Sequence, residues 1–320
     1  MTLKFIDHPI KISDSQYDVL KTKLVKQLLL NKAVKSVYQM GSVKDPGISD
    51  LDIICIFKNN SECRINLRKD LSIGEKKILT HGIFGLEERD LKQTISYNLL
   101  SNLQFLGGEN LNLKVNEDNF NQDLRAQIAL EYMIKMFITL DTQSKLGIVK
   151  LRSFLLLGKA IMFDLELLEI KDGKLFDLVN KVLHYRNIWY IDKPQKKELQ
   201  DLILNFYSAL ESVLINSLEK RGFYLPNSNI SLPGGFEILR GESFQKNHRG
   251  IVLPSMFQFI GKKYINLQYR LNKFTYQIPF KIPNSDTFLY DRFKFSEQMV
   301  KKNRRSFPSF ISVTSSLSIY

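Results

Sequence analysis

Residues 37–57 read Val-Tyr-Gln-Met-Gly-Ser-Val-Lys-Asp-Pro-Gly-Ile-Ser-Asp-Leu-Asp-Ile-Ile-Cys-Ile-Phe, and here residue type and spacing state a chemistry. Gly41-Ser42 closes one apolar run, seven residues intervene, and Asp50-Leu51-Asp52 opens a second. Carboxylates at i and i+2 of an extended strand project to the same face. Two such charges repel unless a cation or a proton lies between them. Hard divalent ions such as Mg²⁺ are held by one or two carboxylates together with substrate phosphates. A Gly-Ser turn offers backbone N–H groups and a hydroxyl to phosphate oxygens. The spacing therefore predicts metal-bridged phosphoryl or nucleotidyl transfer. Either piece alone is also what an ordinary turn or a solvent-facing strand start looks like. Their order, from strand through Gly-Ser and a Pro-Gly loop to Ser-Asp-x-Asp and a second strand, carries the functional reading.

Residues 40–54 resemble the signature of the DNA polymerase β-like nucleotidyltransferase superfamily, in which a Gly-Ser or Gly-Gly turn precedes an Asp-x-Asp pair. The match is close over these fifteen residues, and a looser family-like order extends to roughly residue 115. The resemblance implies that Asp50 and Asp52 are catalytic and bind Mg²⁺, and that Gly41, Ser42 and Ser49 bind the nucleotide. It implies transfer of a nucleoside monophosphate from an NTP, with ATP the expected one, to the hydroxyl of a small-molecule acceptor. Transfer to RNA or protein is an alternative, and so is a fold-sharing binding or regulatory protein without catalysis. Two departures stand out. The Ser42-to-Asp50 loop is shorter than usual for the family, and Asp45-Pro46-Gly47 is a turn that makes a tight loop feasible. The family also carries a third carboxylate on a later strand, whereas the strand-like run 77–86 has no Asp or Glu. His81 falls near that position and is a plausible base at neutral pH. Glu87, Glu88 and Asp90 follow it, although acids there also suit the first turn of a helix. The third position is left open between them.

The elements that must position these residues alternate. Helical spacing is expected over 13–30, strands over 36–40 and 51–57, an ambiguous or helical stretch over 62–73, a strand over 77–86 and a helix over 86–103. A short element over 103–113 ends at Gly107-Gly108, a turn that also resembles the glycine–acid turn of several small nucleotidyltransferases. Apolar stripes near 124–137, 149–165, 175–183 and 195–218 predict four helices joined by short loops. Many proteins of the family attach such a helical domain to shape the acceptor site. Near the end of the third helix, His184-Tyr185-Arg186 reads either as phosphate contacts or as cations at a helix C-terminus, and Trp189 and Tyr190 as stacking surfaces or packing anchors.

Turns are expected at 226–228 and 233–235, then short β hairpins from segments 256–260, 264–270 and 274–282. The run 269–276 interleaves rings with basic residues, which suits single-stranded nucleic acid or equally a strand with aromatics inside and charges outside. Lys301-Lys302-Asn303-Arg304-Arg305 reads as a solvated basic segment or a contact for nucleic acid, a membrane surface or a protein. The expected fold class is α+β: a small mixed nucleotidyltransferase sheet with flanking helices (1–118), a helical bundle (119–222) and a β-containing basic, aromatic-rich C-terminal region (223–320).

Composition bounds the rest. The chain has 320 residues, 44% hydrophobic and 25% charged, which is ordinary for a globular protein with more than one domain. The net charge of +13 is uneven: from Arg221 on, 15 Lys or Arg face five Asp or Glu. Nucleic acid is therefore a possible partner through the C-terminal region, beside the NTP and the small acceptor. No signal-peptide pattern and no membrane span are apparent, and with two cysteines, Cys55 and Cys63, a cytoplasmic location is expected.

Overall fold

The computed structural model describes residues 3–100, 102–113, 121–232 and 234–314. In chain order the elements begin with β1 (Lys4–Ile6), α1 (Asp14–Leu29), β2 (Val34–Met40) and β3 (Asp52–Phe57). Then come α2 (Ile73–Ile78), β4 (Phe84–Glu87), α3 (Glu88–Asn98) and β5 (Leu103–Gly108). The four long helices follow: α4 (Gln122–Lys145), then β6 (Ile148–Lys150), α5 (Leu151–Leu167), α6 (Lys174–Ile188) and α7 (Lys196–Lys220). The remainder is β7 (Asn229–Leu232), β8 (Phe236–Arg240), β9 (Gln245–Gly250), α8 (Lys262–Leu271), β10 (Asn272–Ile278) and α9 (Phe288–Ser306). Helices and small mixed sheets together make an α+β protein.

Two compact units divide the chain, and both are discontinuous. One joins Ile10–Asn121 to the stretch from Asp291 onward; the other joins the stretch ending at Pro9 to Gln122–Tyr290. The compact units thus do not follow the linear three-part split. Its expected boundary at 118/119, like Pro233 of the expected 233–235 turn, lies outside the described residues.

In the first unit the sheet order is β4-β3-β2-β5, with β3 parallel to β4 and antiparallel to β2. Strand β3 is apolar on both faces because both faces are covered. Ile53, Cys55 and Phe57 pack with Tyr17, Leu20, Leu24 and Leu28 of α1, while Ile54 and Ile56 pack with Leu86, Leu91, Phe295 and Met299. Helix α9 and residues 307–313 contribute to this core. The Phe307 ring stacks on Phe57 at 4.0 Å, Phe310 meets Phe57 edge-on at 4.9 Å, and Ile311 bridges Phe84 at the edge of β4. Gly85 is required there, since a Cβ would meet Phe310 at 2.8 Å and Phe57 at 2.9 Å. The basic run 301–305 is accordingly no loose segment. It lies within α9, where Lys302 pairs with Glu87 and Asp90 and Asn303 donates to the Gly85 carbonyl.

Other expectations are corrected locally. The strand expected over 77–86 is only Phe84–Glu87, because a Ser72–Glu75 capping box starts α2, which runs to Ile78. Gly107 and Gly108 are the paired end of β5, opposite Val37 and Ser36.

In the second unit, α4 packs on α5 and α7, and α6 on α5 and α7, giving the four expected helices. Arg186 is buried and donates to the Leu155 carbonyl, and Trp189 is buried, so both are packing residues. The four-stranded sheet runs β7-β8-β10-β9. The segment expected as strand 264–270 is helix α8, whose buried Tyr264, Ile265 and Gln268 follow helical spacing, and 256–260 lies in a 3-10 turn, Ser255–Ile260. Strand β9, Gln-Lys-Asn-His-Arg-Gly, has no apolar alternation to betray it. In β10 the rings face inward: Phe274 and Tyr276 are buried, and the Tyr276 hydroxyl donates to Asp141 at 2.8 Å. They are unavailable to stack on bases.

Candidate metal centre

The candidate residues gather where strand β3 begins. Register places Met40 of β2 opposite Asp52, so the Gly41-Ser42 turn leaves β2 directly beside the second aspartate. Gly41 has φ +65°, the left-handed region that glycine adopts without cost, and its N–H donates to Asn102. Ser42 is exposed beyond it. The loop then closes through the Asp45-Pro46-Gly47 turn, with the N–H groups of Ile48 and Ser49 both donating to the Asp45 carbonyl. Tyr17, reaching from α1, holds it from beneath: its hydroxyl accepts from Gly47 N–H at 2.9 Å and donates to the Ser49 carbonyl at 2.7 Å. Ser49 is buried, and its Oγ accepts from Asp45 N–H at 3.3 Å. Its hydroxyl is thus turned into the loop, directly before Asp50 in the chain.

Asp50 and Asp52 are joined by a residue from the loop between α2 and β4. His81 Nε2 lies 2.6 Å from Asp52 Oδ1 and 3.9 Å from Asp50 Oδ2. Together these three residues offer ligand atoms within 4.8 Å of one another, the only such group of His, Cys, Asp or Glu among the described residues. Thr80, beside His81, donates its hydroxyl to Asp50 Oδ2 at 2.9 Å. Neither Thr80 nor Tyr17 carries a local signal in the sequence; both act through contacts over some thirty residues.

The His81 ring is oriented by its other nitrogen. Nδ1 lies 2.7 Å from the Gly82 carbonyl oxygen, which can only accept, so Nδ1 carries a proton. Nε2 then has two states open to it. It can carry a second proton and pair with Asp52, or present its lone pair to a cation. Burial by itself lowers the imidazole pKa, but the Asp52 hydrogen bond, the Gly82 carbonyl and the two aspartate charges outweigh it, and the net shift is upward. For Asp50 burial and then the Asp52 charge raise the carboxyl pKa, against the Thr80 hydrogen bond and the His81 charge. Two half-buried carboxylates and an imidazole thus converge on one small volume.

The remaining acids are elsewhere. Strands β3 and β4 run parallel with Phe57 opposite Glu87, five residues along from Asp52, a separation of roughly 16 Å at the usual strand rise. Glu87 is buried and pairs with Arg89 and Lys302, each at 2.7 Å; Glu88 pairs with Lys35 and Asp90 with Lys302. All three cap or open α3. Cys55 and Cys63 are free and buried, and burial raises both thiols, so neither offers a thiolate. No protein-family model and no curated protein matches this chain.

Proposed function

We propose that the unit bearing Asp50 and Asp52 is a divalent-metal-dependent nucleotidyltransferase that moves a nucleoside monophosphate from an NTP to a hydroxyl of a small-molecule acceptor. One observation carries the reading: Asp50, Asp52 and His81 converge within 4.8 Å at the mouth of β3, beside the turn at Gly41-Ser42. The donor chemistry fits a divalent ion, since two carboxylates this close are costly without a cation between them and Nδ1 of His81 is already committed to a carbonyl. Asp50 and Asp52 would hold the ion, with His81 Nε2 able to complete the set. A bound Mg²⁺ supplies neutralisation of the charge that develops on a transferring phosphoryl group.

The chain's own residues supply the rest. Thr80 fixes the rotamer of Asp50, and the Gly82 carbonyl fixes the ring plane of His81. Tyr17 and Ser49 keep the loop closed so that both carboxylates face one side. Gly41, whose own N–H is held by Asn102, turns the chain so that Ser42 presents its hydroxyl beside Asp52, where nucleotide phosphates would lie.

The decisive test is incubation of the protein with α-labelled NTPs, Mg²⁺ and cell extract, followed by identification of the labelled product. Asp50→Asn and Asp52→Asn should each abolish labelling. NTP binding by either variant with affinity and metal dependence unchanged overturns the metal assignment. A second reading is favoured by a specific feature, the imidazole where a third carboxylate would be expected: the same site binds nucleotide without transferring it. Metal-dependent NTP binding with no labelled product from any extract selects that reading.

A further inference from the structure

In the second unit, the segment from Ile251 to the start of α8 is built inside out. Ile251, Met256 and Phe259 are 71%, 71% and 75% exposed, and Val252, Phe257 and Ile260 are exposed as well. The Gln258 side chain points the other way: its Nε2 donates to the carbonyls of Leu146 and Gly147, and Lys4 Nζ donates to the Gln258 carbonyl at 2.8 Å. Tyr264 donates to the Leu253 carbonyl at 2.8 Å, and Gly261 N–H to the Gln258 carbonyl. The backbone is thus tied down on its inner side while a row of apolar side chains is held in water. A contiguous apolar patch of this kind marks an interaction surface.

Charge identifies the occupant. Between Glu242 and Asp286 the sequence has no acidic residue and seven Lys or Arg, with Lys262 and Lys263 exposed immediately after the apolar row. Lys150 lies close enough to Lys262 to feel its charge, and Asp7, 3.6 Å from Lys262, is the acid beside them. A second copy of the chain would bring like charges together across the contact. Nucleic acid would use the lysines but has no use for an exposed Ile251, Val252, Met256 and Ile260. An anionic bilayer uses both, because apolar tips enter the interfacial region and lysines meet headgroup phosphates. No helix among the described residues is long and apolar enough to cross a membrane, so the contact lies on the surface.

We propose that segment 251–263 seats this protein on an anionic lipid surface, with Met256, Phe257 and Phe259 entering the interface and Lys262 and Lys263 contacting headgroup phosphates. The proposal is independent of the metal centre. The test is co-sedimentation of the full chain with phosphatidylcholine vesicles made with or without phosphatidylglycerol. Expected are binding to the anionic vesicles only, loss of roughly fivefold per lysine in Lys262→Ala and Lys263→Ala, and further loss in Met256→Ser and Phe259→Ser. A Phe259→Trp variant should show a blue-shifted emission on anionic vesicles, over the constant background of buried Trp189. Equal binding to neutral vesicles, or none to either, overturns the proposal. So does retention of an RNA oligonucleotide, or concentration-dependent dimerisation, that the same substitutions abolish while vesicle binding is absent. Unchanged circular dichroism in each variant shows that the fold is intact, as expected for exposed positions.

Discussion

Whether the C-terminal stretch is part of the metal-bearing unit can be tested at Phe307. This ring is fully buried and stacks on Phe57 with an interplanar angle of 6°, at the end of β3 away from the aspartates. Truncation of a buried Phe to Ala costs about 3–5 kcal/mol, because transfer and cavity terms add. Phe293, Phe295, Met299, Phe310 and Val313 are also buried, so a chain ended before Asp291 loses six buried apolar side chains. At about 1.5–3 kcal/mol each, the upper-bound sum is roughly 9–18 kcal/mol, as large as the whole stability of a typical domain. Such a chain should leave this unit unfolded. The assay is urea unfolding followed by far-UV circular dichroism for Phe307→Ala, with Val19→Ala, 68% exposed on α1, as the surface control expected within about 0.5 kcal/mol of the parent. The same variant should weaken metal binding, since Ile311 pairs with Ile83 and Gly85 and so braces the strand that follows His81. A loss below about 1 kcal/mol for Phe307→Ala would refute the reasoning and reduce the stretch to an appendage.

Three further outcomes are expected. Thr80→Val removes the hydroxyl that orients Asp50 and should lower metal affinity about 10–100-fold by calorimetry, with little change in thermal stability. Glu75 has its carboxyl lowered to about 2 by the Lys23 hydrogen bond and the Ser72 cap. A depressed carboxyl contributes stability above its unfolded value of about 4.5 and loses it as pH falls toward about 2. Glu75→Gln should therefore destabilise at pH 7 by about 1 kcal/mol, discounted for its exposure, and the difference from the parent should vanish near pH 2. In the other unit Tyr276→Phe removes a buried donor to Asp141, which also accepts from Tyr207 and Lys145, and should cost about 1–3 kcal/mol in urea unfolding.

What was legible in the sequence was local. The helices from α4 to α7 show as apolar stripes, and α1 shows through Tyr17, Leu20, Leu24 and Leu28, which all prove buried. In the second sheet periodicity gives β10, expected over 274–282, but does not give β7, β8 or β9. Strand β9 is polar throughout, and α8 carries Tyr and Ile in a pattern short enough to pass for a strand. The interleaved run 269–276 offered two readings, and burial of Phe274 and Tyr276 selects the inward-facing strand.

By itself the sequence determined that two carboxylates stand at i and i+2 at the mouth of an apolar strand, behind a Gly-Ser turn and a tight Pro-Gly loop. Those are properties of neighbours along the chain, set by backbone geometry and residue type. Which third group joins them is a different kind of fact. His81 reaches Asp52 because β4 pairs parallel to β3, and parallel strands need a long crossover that carries Thr80 and His81 back to the start of β3. The same register carries Glu87 to the far end, where Lys302 from the other end of the chain pairs with it. Pairings over such separations are settled by packing of the whole core, and no local spacing encodes them.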